Sequence, residues 1–93
     1  MTFQLFTRAA LRNDIPLHFL KKGDVVTIVE AHSGSSTQEQ GYSVEVFNAT
    51  GDTLAVVTIP ESHLEPLQNT EILHVRHFQH VAEPPPLYTK SKK

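Results

Sequence analysis

Hydrophobic and polar positions alternate most plainly in the middle of the chain. From Tyr42 to Phe47, residues Tyr42, Val44 and Val46 fall on one face of an extended segment and Ser43, Glu45 and Phe47 on the other. That period of two predicts a strand with one buried face. Val25 to Glu30 is β-branched at every position but the last, which suits a pleated surface and penalises a helix, so a strand is expected there too. Thr53 to Ile59 follows a short connection containing Asn48, Gly51 and Asp52, residue types that tolerate left-handed backbone. An antiparallel hairpin is the natural reading. The apolar residues of 53–59 lie on both faces, so both faces are expected to be at least partly covered.

The flanks are read by their turn residues. Phe6 to Leu11 admits a first strand or one short helical turn. Asn13 to Pro16 and Lys21 to Asp24 are turn signals, since Pro16 extends the residue before it and Gly23 is free to take positive φ. Ser33 to Gly41 is polar and reads as a mobile loop. Pro60 to His63 reads as a tight turn, and Leu64 to Leu67 as a short last strand closing on the first. The sum is a mostly β chain: a small SH3-like β-barrel of about five short antiparallel strands over residues 1–67.

Residues 68–93 form a C-terminal extension. Ile72, Leu73, Val75, Phe78 and Val81 make no clean helical stripe, so an extra strand over 71–82 is expected. Pro84 to Pro86 then gives a stiff spacer, and Lys90, Lys92 and Lys93 a cationic end. An apolar strand after a finished barrel must find cover, on its own sheet's edge or on a neighbouring subunit. This marks Ile72, Val75 and Phe78 as candidates for self-association, with a dimer as the expected product.

Length and composition narrow the classes. Ninety-three residues make one domain with a thin core, and with no cysteine there is no disulfide and no thiolate site. No apolar run reaches signal-peptide or membrane-spanning length, so a cytoplasmic protein without a membrane partner is expected. The formal charge of −2 hides an asymmetry. Between Gly23 and Val75 there is no Lys or Arg, while Asp24, Glu30, Glu39, Glu45, Asp52, Glu61, Glu65 and Glu71 all fall there. Such a stretch repels phosphate, which argues against a nucleic-acid partner. It is either a solvated acidic surface or an acidic face for a basic partner.

Catalytic and metal chemistry find little support. His74, His77 and His80 repeat every three residues, but on a helix the outer pair is ~120° apart, and on a strand His77 points away from the others. No companion acid stands at a spacing typical of zinc sites. The serines at 33, 35 and 36 lack the strand-to-helix elbow that holds a nucleophile. Glu30 and Glu45 are placed to face each other across paired strands, an arrangement more common at surfaces than in active sites. No cofactor is called for, and the expectation is a protein that is not an enzyme.

Several of these residues also resemble a known family. Ile15-Pro16, Leu20 to Val25, Thr27 to Glu30, Tyr42, Val44 to Phe47, Gly51 and Thr53 to Ile59 are similar in order and spacing to domain-of-unknown-function family 4926, a bacterial family of short proteins. The likeness spans roughly Ala9 to Leu67. It implies a compact β-barrel-like domain, some of whose members are encoded beside toxin-like proteins, and it brings no catalytic residues. Two positions depart from the family pattern: Phe19 and Val26 stand where a Gly is common, adding bulk at turn or close-approach positions.

The function expected from all this is a non-catalytic protein-interaction module of accessory, regulatory or immunity type. It would mask a basic partner through Glu30, Glu45 and Asp52, and self-associate through its tail. The alternative is an oligomer that binds a small molecule between subunits or beneath the loop 33–41. A third reading is an enzyme with metal at the histidine-rich tail.

Overall fold

In a computed structural model, which describes residues 2–78, the β-rich sequence forms one sheet. The chain runs β1 (Arg8–Leu11), a 3-10 turn η1 (Pro16–His18), β2 (Val25–His32), β3 (Gly41–Phe47), β4 (Thr53–Pro60), a second 3-10 turn η2 (Glu61–His63) and β5 (Leu64–Pro66). Every pairing is antiparallel and the strand order is β4-β3-β2-β1-β5. The last strand does return to the first, with Leu64 opposite Leu11. The sheet nonetheless stays open where a closed barrel was expected. β4 and β5 are its two end strands, and no pairing joins them.

The alternation read from the sequence builds the core. Tyr42, Val44 and Val46 of β3 are buried beside Val26 and Ile28 of β2 and Val57 and Ile59 of β4. Ala9, Leu11 and Leu64 extend this face, and Phe3 and Leu20 close over it. No polar or charged residue is buried among the described residues, so the core rests on apolar area at about 1.5–3 kcal/mol per large side chain. Val26 is an ordinary inward strand residue here, with no close backbone approach to resist its bulk.

The turns follow their side chains. In the β3–β4 hairpin, the Asn48 side-chain oxygen accepts from the amides of Thr50 (3.1 Å) and Asp52 (2.8 Å), and Gly51 takes φ 94. The loop 33–40 is more tied down than its composition suggests. Glu39 accepts from the backbone N–H (3.1 Å) and hydroxyl (2.8 Å) of Ser62, and the Glu61 N–H donates to the Gln40 carbonyl at 2.9 Å. Gly34 passes so close to the backbone of Gln38 to Gln40 that a β-carbon would sit 2.6 Å from the Gln40 nitrogen.

The extension departs from expectation. Residues 71–78 form no strand; they cross the body as an irregular strap. They lie beside Ala10 of β1 and Glu65 of β5 without pairing to the free edge of β5. Residues 79–82 of the expected strand, the proline spacer and the terminal lysines lie outside the described residues.

Candidate functional site: the outer face and the strap

The outer face of the sheet carries the sequence's unexplained residues. Strand register puts Thr27 opposite Glu45, Glu45 opposite Val56, and Ser43 opposite both Glu30 and Thr58. A polar ladder crosses it: the Ser43 hydroxyl lies 2.8 Å from His32 Nε2 and 3.3 Å from the Thr58 hydroxyl. Beside the ladder lie Phe47, Leu54 and Val56, the last 59% exposed. The outward apolar residues of β4 are covered only in part, Leu54 being 37% exposed and Val56 more so.

The three acids named from the sequence are not one cluster of open carboxylates. Glu30 is exposed, 3.9 Å from His32. Glu45 does not face it: the strand register sets Glu45 opposite Thr27, and Glu30, beyond a bulge after Ile28, opposite Ser43. Instead Glu45 accepts a 2.5 Å hydrogen bond from the Thr53 hydroxyl. Asp52 is engaged within the hairpin, accepting from Thr50 Oγ1 (3.2 Å) and Asn48 Nδ2 (3.3 Å). Glu30 and Glu45 thus share the outer face, whereas Asp52 serves the turn.

The tail residues divide as well. Ile72 and Val75 are 83% and 89% exposed. Phe78 turns back onto its own chain, packing against the core and meeting Phe19 edge to face with ring centroids 6.4 Å apart. A latch between these residues fixes the strap. Arg76 donates through Nε to Asp24 Oδ1 (2.9 Å), through Nη2 to Asp24 Oδ2 (2.5 Å), and again through Nη2 to the Phe19 carbonyl (3.3 Å). The Asp24 hydrogen bonds hold the Arg76 guanidinium protonated more firmly than usual, against a smaller opposing effect of burial.

Phe19 is the notable member of this latch. It caps η1 in left-handed conformation, φ 60 and ψ 28, which a β-carbon disfavours by about 1–2 kcal/mol. The Gly that the resemblance implies at this position was the sequence signal for that backbone. Asp24 and Arg76 had a fainter one, since they are the first acid and the first base met after Gly23. Nothing local announces that residues 52 positions apart should meet.

Strap and sheet enclose an open groove of about 790 Å³, walled by Thr27, Phe47 and Leu54 on one side and Leu73, Val75 and Phe78 on the other. This is a volume in the small-molecule range. A second recess of about 350 Å³ lies under the strap between Ala10, Val25, Ile72 and Leu73. Among the described residues no group of three His, Asp or Glu side chains is arranged to hold a metal. His74 and His77 are exposed, and His80 lies outside those residues.

These features define a small all-β domain with an amphipathic outer face and a latched strap. The family model described as "Domain of unknown function (DUF4926)" matches residues 5–66, and the chain belongs to that family. The match holds the whole sheet and the Phe19 and Asp24 side of the latch, and it ends before the strap. No curated protein and no solved structure matches the chain. No helix among the described residues is long and apolar enough to cross a membrane.

Proposed function

We propose that this protein is a non-catalytic interaction module of accessory or regulatory type, immunity proteins included. In this reading the sheet is a strongly bent, SH3-like half-open barrel. The five short strands, the single 3-10 turn before β5 and the return of β5 to β1 support it. The working surface is the outer face of β2, β3 and β4, and its partner is a basic protein with an apolar centre. The observation that carries this is the exposed apolar strip Phe47, Leu54 and Val56, set beside Glu45 and Glu30 on one face. Apolar side chains in solvent next to acids of one sign mark an interface rather than a solubility surface.

A second reading, self-association, is favoured by Ile72 and Val75. The latch holds their segment against the body, so their exposure is not the fraying of a loose end.

Native mass spectrometry on the protein recovered gently from its source cells tests both, alongside Val56→Asp and Glu45→Lys variants. The expected result is the chain plus a basic protein, lost in both variants. Equal capture by the variants would sink the outer-face reading. A homo-oligomer abolished by Val75→Asp would favour self-association, and a small added mass would direct attention to the groove.

A further inference from the structure

We propose that the recess formed by Phe19, Leu20, Asp24 and Val25 is a recognition socket for a partner protein's extended segment, one bearing an arginine and, two residues on, an aromatic side chain. The chain's own strap displays the fit. Arg76 meets both oxygens of Asp24 and the carbonyl of Phe19, and Phe78 meets the Phe19 ring. Bidentate pairing with a carboxylate selects arginine over lysine, because only a planar fork reaches both oxygens in line.

The receiving side is organised by its own contacts. Asp24 Oδ2 also accepts the Lys21 N–H at 2.8 Å, which fixes the carboxylate against its turn. Phe19 presents both its carbonyl and its ring to the strap from a strained left-handed backbone. Strain of this kind persists where the surroundings impose it, and it gathers at binding sites. Asp14 adds its attraction to that of Asp24 at the Arg76 guanidinium, so a cationic group is what this spot takes, although Arg8 and Lys22 line the adjoining recesses.

The strap is an occupant that can be displaced. No strand pairing holds residues 71–78; the ion pair, the Phe19 carbonyl and the packing of Phe78 against Phe19 and the core hold it. The positions of the socket lie inside the family match at residues 5–66 and the strap outside it, while the Phe19 ring is one of this chain's departures from the family pattern. Leu20, Asp24 and Val25 also line the groove that contains Phe47 and Leu54, so a longer foreign segment would continue along the outer face.

The test uses the full chain and a fluorescent, end-blocked peptide with the sequence of residues 68–78, followed by anisotropy. A tethered strap competes at an effective concentration of about 1 mM, so the wild type should bind the probe at least ~10-fold more weakly than an Arg76→Ala/Phe78→Ala chain. In that released chain, Asp24→Asn should abolish binding. Arg76→Glu placed in the probe should do the same, a readout that does not depend on how the protein variant folds. Equal binding by wild-type and released chains, or undiminished binding of the Glu-bearing probe, overturns the proposal. A wild-type dimer that exchanges subunits and is lost in Asp24→Asn assigns the socket to a second copy and overturns the foreign partner. Probe binding reads the socket whichever way the outer-face variants behave.

Discussion

Tyr42 and Arg76 each gather several polar contacts, yet they hold the molecule in opposite ways. The Tyr42 hydroxyl accepts from the Phe3 N–H (3.0 Å) and the Gln40 amide (3.1 Å) and donates to Glu61 (3.2 Å), while its ring meets Phe3 edge to face in the core. The side chain is fully buried and joins the N-terminus, the long loop and η2. Arg76 joins the strap to the body from a solvent-accessible position, through one carboxylate and one carbonyl. A buried hub cannot lose a partner without leaving a polar group stranded in low dielectric. An exposed latch can exchange its partner for water at small cost. The first region sets the fold's stability, and the second is suited to opening and rebinding.

The hub side of this contrast breaks most severely where no polar contact is involved. Ile28 is fully buried on β2 between the β1 and β3 pairings. Ile28→Ala should cost about 2–5 kcal/mol, enough to unfold much of a small domain. Urea denaturation monitored by circular dichroism measures it. A loss under about 1 kcal/mol would mean that this face is loosely packed and that the contrast between hub and strap is overdrawn.

The next test isolates the hydroxyl. Tyr42→Phe preserves the ring but removes the oxygen that two donors and Glu61 share, so about 1–3 kcal/mol of stability should be lost. Proteolysis at the loop 33–40 should quicken in the same variant, because Gln40 loses that partner. A stable variant with an unchanged cleavage rate would show that Glu39 and the Glu61 N–H suffice to hold the loop.

How far the sequence foretold these two regions follows from the range of the forces involved. The strands were legible because a period of two and a run of β-branched residues are local, and β2, β3 and β4 fall where Val25–Glu30, Tyr42–Phe47 and Thr53–Ile59 predicted. The outward placement of Glu45 and Phe47 came from the same alternation. Barrel closure did not follow, because it depends on whether the free edges of the end strands β4 and β5 meet, which the curvature of the whole sheet decides. Nor did the strap: the apolar content of 71–82 suggested a strand, but whether a segment docks on a sheet edge is a property of the assembled sheet and not of its own residues. The Glu30–Glu45 pairing missed because the register, which places Glu45 opposite Thr27, depends on the length of the loop between β2 and β3 and not on the alternation within either strand. The latch joins positions separated by most of the sheet and left only the break in the charge pattern as a trace.

The smallest effect is the most telling for the strap. Arg76→Ala should lower global stability by less than about 1 kcal/mol, since a partly exposed ion pair offsets its attraction with side-chain ordering and screening. It should nevertheless speed amide exchange across residues 71–78 while leaving β3 unchanged. The pH dependence has a definite sign. A cation whose folded-state pKa is raised contributes stability that is complete below its unfolded value and fades only above the raised one. Arg76 is raised, chiefly by the Asp24 hydrogen bonds, so its contribution is undiminished from neutral pH up to about pH 10, below any guanidinium titration. The difference in stability between wild type and Arg76→Ala should therefore stay constant between pH 7 and 10 and shrink with added salt. A difference that grew or vanished over that range would mean that some group other than the Asp24–Arg76 pair holds the strap.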